Sequence, residues 1–327
     1  MAGLALENDE IAKRAAMMQR FGRGEARFRI LCLASALLVV AIFLGVVFAL
    51  VEGAWPAIKA FGLPFLWTEK WNPVTEKFGG LAAIYGTLVT SLVAMLIAVP
   101  MGIGIAVFLT EICPNALKRP ISIAIELLAG IPSIIYGIWG LFILAPFLQT
   151  TVQPWLIETF ADVPVFSTLF EGPPYGIGMF TASLILSIMI LPFISSVTRD
   201  VFETVPPMLK EAAYGLGCTT WEVVWNVVLP YTRSGVVGGA MLALGRALGE
   251  TMAVTFVIGN AHRISASLLA PGTTISASIA NEFAEALGDL YVPALIELGL
   301  ILFLITFLVL AAAQLMLRRL EKSGGQR

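Results

Sequence analysis

Six stretches of more than 20 residues run almost without a charged side chain, and nothing else in the chain constrains its folding so tightly. A helix crossing the ~30 Å hydrocarbon core of a bilayer needs about 20 mostly apolar residues, because it rises ~1.5 Å per residue. Ile30–Val51, Phe78–Thr110 and Tyr175–Thr198 carry no charge at all. Ile121–Leu148 is interrupted only by Glu126, Val236–Ile258 carries Arg246 and Glu250, and Tyr291–Leu317 carries Glu297. The expectation is an all-α polytopic membrane protein of six transmembrane helices over 30–317, with both termini on one side. The first run is longer than a signal-peptide core and lacks a small-x-small cleavage site, so it reads as an anchor.

The remaining residues could not clothe a soluble protein of this size. Hydrophobic residues make up 58% of the 327 and charged residues 13%, with a mean hydropathy of +0.89; soluble domains carry roughly 45–50% and about 25%. A net charge of −2 excludes a basic nucleic-acid footprint. Three cysteines and one histidine exclude a disulfide scaffold and a His/Cys metal cage. Cys32, Cys113 and Cys218 read as reduced structural thiols, and His262 as a solvated loop residue. No G-x-x-x-x-G-K-[ST] segment exists to cradle nucleotide phosphates, so active transport would draw on a gradient or on another subunit.

Basic residues set the orientation. Fifteen lie in residues 1–29, 111–120, 199–235 and the tail after Leu317, against four in the opposite loops, Lys59, Lys70, Lys77 and Arg263. Residues 1–29, the loop at about 199–233 and the tail 318–327 are therefore expected in the cytoplasm. The outward loop Gln149–Pro174 holds no Lys or Arg, and Trp55, Trp67, Trp71 and Trp155 lie in outward segments as interfacial aromatics. Glu158, Asp162 and Glu171, and Arg263 against Glu282, Glu285 and Asp289, make that face acidic. Such a face repels a free anion and suits docking of a protein that delivers one.

The 199–233 loop is too long for a plain hairpin. Pro206 and Pro207 suit a first helical turn, and Met208–Tyr214 continue it until Gly215 and Gly217. Thr219 with Glu222 forms a capping box opening a second short helix, Trp221–Val228, halted before Pro230. Trp221, Val224 and Val228 would stand exposed on this knob without a partner.

Glu211-Ala212-Ala213, Gly217, Val227 and Leu229-Pro230 fall at the spacing E-A-A-x3-G-x9-I-x-L-P, with Val227 in the isoleucine place. The segment resembles the coupling loop of ABC importer permeases. The resemblance implies a type I ABC importer (MetI-like) fold and a coupling helix that docks on a separate ATPase. Residues 126–137 and 245–254 are similar to the signature segments of phosphate-importer permeases. The order of features and the Phe61–Trp71 stretch favour the PstC-type subunit over the PstA-type. This implies an inner-membrane phosphate importer of two different permeases, a PstB-type ATPase dimer that binds ATP and Mg, and a PstS-type extracytoplasmic phosphate-binding protein. The chain itself would hold no cofactor and catalyse nothing.

Arg246 and Glu250 are the expected gate or substrate contact. A lone arginine at mid-helix costs about 2.5–3.5 kcal/mol on the lenient insertion scale, and a partner at i+4 lies on the same helical face and can neutralise it. Guanidinium is also the natural bidentate partner of phosphate oxygens. Gly235, Gly239, Gly249 and Ala253 on that face permit close packing or leave a passage. In the family resembled, the matching Arg and Glu are required for transport. Pro132 and Ser133, after Gly130-Ile131, are expected to break the third span and offer free N–H groups to an anion; a packing kink is the alternative. Glu126 and Glu297 are expected to form interhelical hydrogen bonds or to be protonated. Other readings are a sulfate or molybdate permease, a gradient-driven transporter using Arg246, Glu250 and Glu297, and a membrane scaffold for phosphate sensing.

Overall fold

The computed structural model describes the backbone of residues 2–324 and the side chains of Glu25 and of 28–318. The basic side chains Lys13, Arg14, Arg20, Arg23, Arg27, Arg319, Lys322 and Arg327, used above for orientation, fall outside the described residues. The described residues form helices and no named strand. The chain divides into two units, Met1–Gly53 and Ala54–Arg327. The first unit is one stretch of α1 (Ala2–Phe61), apolar from Phe28 onward. The second holds five more helices long and apolar enough to cross a membrane: α2 (Leu81–Ile112), α4 (Ser133–Phe160), α5 (Met179–Glu203), α7 (Thr220–Leu248) and the Tyr291–Arg318 part of α10 (Tyr291–Gly324). Shorter helices include α3 (Asn115–Ala129), α6 (Pro207–Gly215), α8 (Met252–Thr255) and α9 (Ile275–Glu282).

Two spans differ from the sequence reading. The third begins at Ser133, not at Ile121, because residues 115–129 form a separate amphipathic helix. Lys118, Ser122 and Glu126 share one face of α3; Lys118 pairs with Glu203 and Glu126 with Arg199, both at 2.9 Å on α5. A hydropathy count sees only the apolar side of that helix. The fifth span is Thr220–Leu248, displaced from Val236–Ile258 because the helix does not stop before Pro230.

Proline explains both the continuation through Pro230 and the length of α4. Four widened turns, with i→i+5 bonding, cover Phe108–Ile112, Gly140–Leu144, Leu148–Val152 and Val224–Val228. Each is centred four residues before a proline: Pro114, Pro146, Pro154 and Pro230. That central carbonyl is the one a proline clashes with and cannot bond. At Pro146, Pro154 and Pro230 a widened turn absorbs the misfit without ending the helix, whereas before Pro114 the helix stops at Ile112. Helix therefore replaces the first part of the expected outward loop at 149–174, as far as Phe160.

The central element of the second unit is α5. Its Met179, Ala182, Ile185, Leu186, Met189, Ile190 and Ile194 are buried against Ala94 and Ala98 of α2, Ala243 and Ala247 of α7, and Ala253, Val254, Val257 and Ile258. Small residues bring these backbones together, as helix association in lipid requires. A Cβ on Gly102 would lie 2.6 Å from Ile194, and one on Gly235 or Gly239 would lie 2.6 or 2.8 Å from Val201 or Val197. Gly235 and Gly239 thus serve packing and leave no passage.

The segment after α8 folds back over the start of α5. Gly178 N–H donates to Val257 O, Met179 N–H to Ala270 O and Phe180 N–H to Leu268 O. These carbonyls satisfy donors that a helix start leaves orphaned, so that helix end is closed to an anion. Further on, Ile275 N–H donates to Thr87 Oγ1 at 2.9 Å, and Thr273 O lies against Gly86 in the middle of this contact.

Candidate transport pathway and coupling site

The helical register that was to pair Arg246 with Glu250 is broken between them. Helix α7 ends at Leu248, with Gly249 at its C-cap, and Glu250 and Thr251 lie in the link to α8. Glu250 Oε1 turns forward and accepts from Ala253 N–H at 3.2 Å. No ion pair joins the two residues. Arg246 instead holds its guanidinium 4.6 Å from the ring centre of Phe193. Among the described residues it has no carboxylate partner and no hydrogen bond. It is exposed, in a cleft of about 390 Å³ otherwise lined by Phe193, Leu242, Ala243, Gly245 and Leu310. Phe193, and with it the cation, lies near the middle of the 25-residue α5.

The Pro132 break stands at the start of the third span rather than within it. Pro132 is exposed and Ser133 half-buried, and the turn they open runs beside α8. A Cβ on Gly137 would lie 3.1 Å from Ala253 Cα and 2.8 Å from the Phe256 ring. Tyr136 OH donates to Leu128 O at 2.8 Å, tying α4 back to α3. The two segments singled out by sequence, 126–137 and 245–254, are thus brought into contact through α4 and α8. Glu126 makes its interhelical bond, to Arg199. Glu297 makes none among the described residues: it is buried at 6% exposure with Oε2 unpartnered.

The knob forms as its residues dictate. Pro206 caps α6, which carries Glu211, Ala212 and Ala213 and ends at Gly215. Gly217 then turns the chain at φ +88°, with open space around it. Thr219 and Glu222 make the reciprocal capping box, and Leu229 and Pro230 follow in the continuous α7. Its exposed apolar surface differs from that expected. Val224 and Val228 are buried, Val228 with Ala106, Phe202, Val205, Val223 and Val236. Met208, Leu216 and the stacked pair Trp221 and Trp225, 5.6 Å apart, stand outside. Lys210 bonds Glu111 at 2.5 Å, with the Glu111 side chain 6% exposed, and so pins α6 to the end of α2. Lys210→Ala should strand that carboxylate at a cost on the order of 3 kcal/mol. The expected result is lower thermal stability in detergent, largely restored by Glu111→Gln in the same chain.

At the opposite end His262 is not a solvated loop residue. It stacks on Trp71, ring centres 5.0 Å apart and 4° from parallel, and its Nε2 lies 2.6 Å from Glu282 Oε1. Trp71 Nε1–H and Tyr291 O–H both donate to Glu282 Oε2, each at 2.6 Å. Trp71 is therefore an anchor of this cluster rather than a free interfacial ring. Burial pushes the Glu282 carboxyl up, but the bonds from His262, Tyr291 and Trp71 outweigh it and hold the group below the usual carboxylate range. A folded-state value lowered in this way stabilises above the unfolded value and loses that contribution as pH falls through the folded one. Amide exchange in 257–291 should accelerate below about pH 4, and Glu282→Gln should remove that acid limb.

A family profile described as "Binding-protein-dependent transport system inner membrane component" matches residues 98–322. The phosphate transport system permease protein PstC of Mesorhizobium japonicum is 65% identical over 96% of both chains. Its namesake from Pasteurella multocida is 59% identical over 89% of this chain and 91% of that one. The chain belongs to the PstC-type phosphate permease family. Among solved structures, a chain of a bacterial alginate ABC transporter, crystallised with an alginate pentasaccharide-bound periplasmic protein, aligns with a TM-score of 0.59 at 18% identity, covering 88% of this chain and 94% of that one. A chain of the MetNI methionine ABC transporter aligns at 0.52 and 20% identity, covering 73% and 93%. The fold is the MetI-like permease fold, in a multi-pass inner-membrane protein of this family.

Sequence reading of this PstC-type chain missed three participants. Phe193 gave no signal beyond an apolar residue in an apolar span. Lys210 and Glu111 lie 99 positions apart, and the His262 cluster joins four segments, so neither has a local pattern.

Proposed function

We propose that this chain is the permease subunit of an ATP-driven phosphate importer and forms half of its translocation pathway. The observation that carries the reading is Arg246, a cation in an apolar cleft beside the middle of α5 with no counter-charge among the described residues. Such a residue is tolerated where it faces a pathway or a partner, and its fork of donors suits a phosphate oxygen pair. A PstA-type permease would supply the other half. A PstB-type ATPase dimer, holding ATP and Mg, would dock on Glu211, Ala212, Ala213 and the exposed Trp221 and Trp225. A PstS-type binding protein would deliver phosphate to the acidic face at the other end, with the knob, both termini and the 318–327 tail in the cytoplasm. The chain itself hydrolyses nothing.

The test is transport by the complex co-expressed and purified with those partners, reconstituted in vesicles containing ATP. Labelled phosphate should accumulate only with ATP inside and loaded binding protein outside. Accumulation driven by a proton gradient without ATP would point to the secondary-transporter reading. Sulfate or molybdate uptake matching that of phosphate would point to a different oxyanion.

A further inference from the structure

We propose that Phe193 is a positioning residue for transport: its ring holds the Arg246 guanidinium charged and unpaired in the pathway, ready for the anion. The inference rests on the phosphate-importer reading and adds to it the means by which the arginine is kept available. Three observations carry it. The guanidinium carbon lies 4.6 Å from the Phe193 ring centre, within the ~6 Å at which a cation is attracted to an aromatic face. Glu250, the one carboxylate within a helical turn along the chain, is diverted by the break at Gly249 and spends Oε1 on Ala253 N–H. The cleft has about 390 Å³, room for many waters at ~30 Å³ each.

A carboxylate in this place would stabilise the cation but occupy its donors and compete directly with an incoming phosphate. A ring stabilises the charge through its quadrupole while accepting no N–H···O bond, so all five guanidinium donors remain free. Pro192 precedes Phe193 within α5 and Leu310 closes the cleft from α10, so the ring stands on helices rather than on a loop. The arginine is thus held where charge attraction to a tetrahedral oxyanion is strong and no internal ion pair must first be broken.

The experiment replaces Phe193 with mono-, di- and trifluorophenylalanine in the assembled complex, together with Phe193→Trp and Phe193→Leu. Fluorination drains the ring face of negative potential at nearly constant shape, so it moves a cation–ring contact and leaves packing alone. Maximal uptake rate should fall stepwise along the fluorinated series, reaching about tenfold. The concentration of loaded binding protein giving half-maximal rate should stay constant, because docking occurs at another surface. Tryptophan should retain transport, and leucine should lose it about as far as the trifluorinated ring. If the leucine variant fails to assemble, the fluorinated series decides alone. A flat series, with Arg246→Gln inactive, would overturn the role of Phe193 and leave the importer reading intact. Normal uptake by Arg246→Gln would remove that reading itself, and this proposal with it.

Discussion

Arg246→Gln is expected to leave the chain assembled in the membrane and to lower phosphate uptake about 100-fold or more. If Arg246 meets the anion as proposed, removing one partner of that charge pair costs about 2–5 kcal/mol, and glutamine keeps a polar amide on a shorter stem without the charge. Assembly should survive because Arg246 pairs with no carboxylate among the described residues, so its removal strands no opposite charge. The same geometry fixes the outcome of the exchange Arg246→Glu with Glu250→Arg. Two residues forming a structural bridge would tolerate the exchange, but here a carboxylate would face the Phe193 ring and the incoming anion. The exchanged protein should remain inactive; near-normal uptake would show that the two side chains are paired in the working complex.

Gly86→Val should have the largest effect on the fold itself. A Cβ at Gly86 would sit 1.9 Å from Thr273 O, a backbone atom that cannot rotate away. Relief would require α2 to separate from the 273–275 segment, breaking the bond from Ile275 N–H to Thr87 Oγ1. Overpacking of this kind costs about 3 kcal/mol or more, and the measured consequence should be loss of folded protein from detergent extracts. Gly104→Val is the matched control, on the same helix with nothing within 4 Å of its Cβ position. Equal abundance of the two variants would contradict the close approach.

What the sequence carried was what depends on neighbours along the chain. Apolar runs marked six membrane helices because lipid leaves a backbone no other way to satisfy its polar groups. Pro206, Gly217 and the Thr219–Glu222 box marked the knob because caps and turns are local chemistry. The third and fifth spans were misplaced for equally local reasons: α3 shows hydropathy only its apolar face, and Pro230 was read as a stop where a widened turn lets the helix pass. Arg246 and Glu250 stood out as charges in apolar surroundings, but their pairing depended on one break at Gly249. Phe193, Lys210 with Glu111, and His262 with Glu282 owe their roles to contacts across the fold, and no spacing announces them.

The passage of α7 through Pro230 makes the knob and the cleft arginine two ends of one lever. Thr220 and Arg246 stand on a continuous helix, and at ~1.5 Å per residue they are roughly 39 Å apart. A tilt of about 5° at the Trp221 end would displace the guanidinium by roughly 3 Å along that length. Contacts that must be met to within about an angstrom would be made or lost by such a swing. A short motion imposed at the exposed tryptophans would thus be carried toward the cleft along the helix itself.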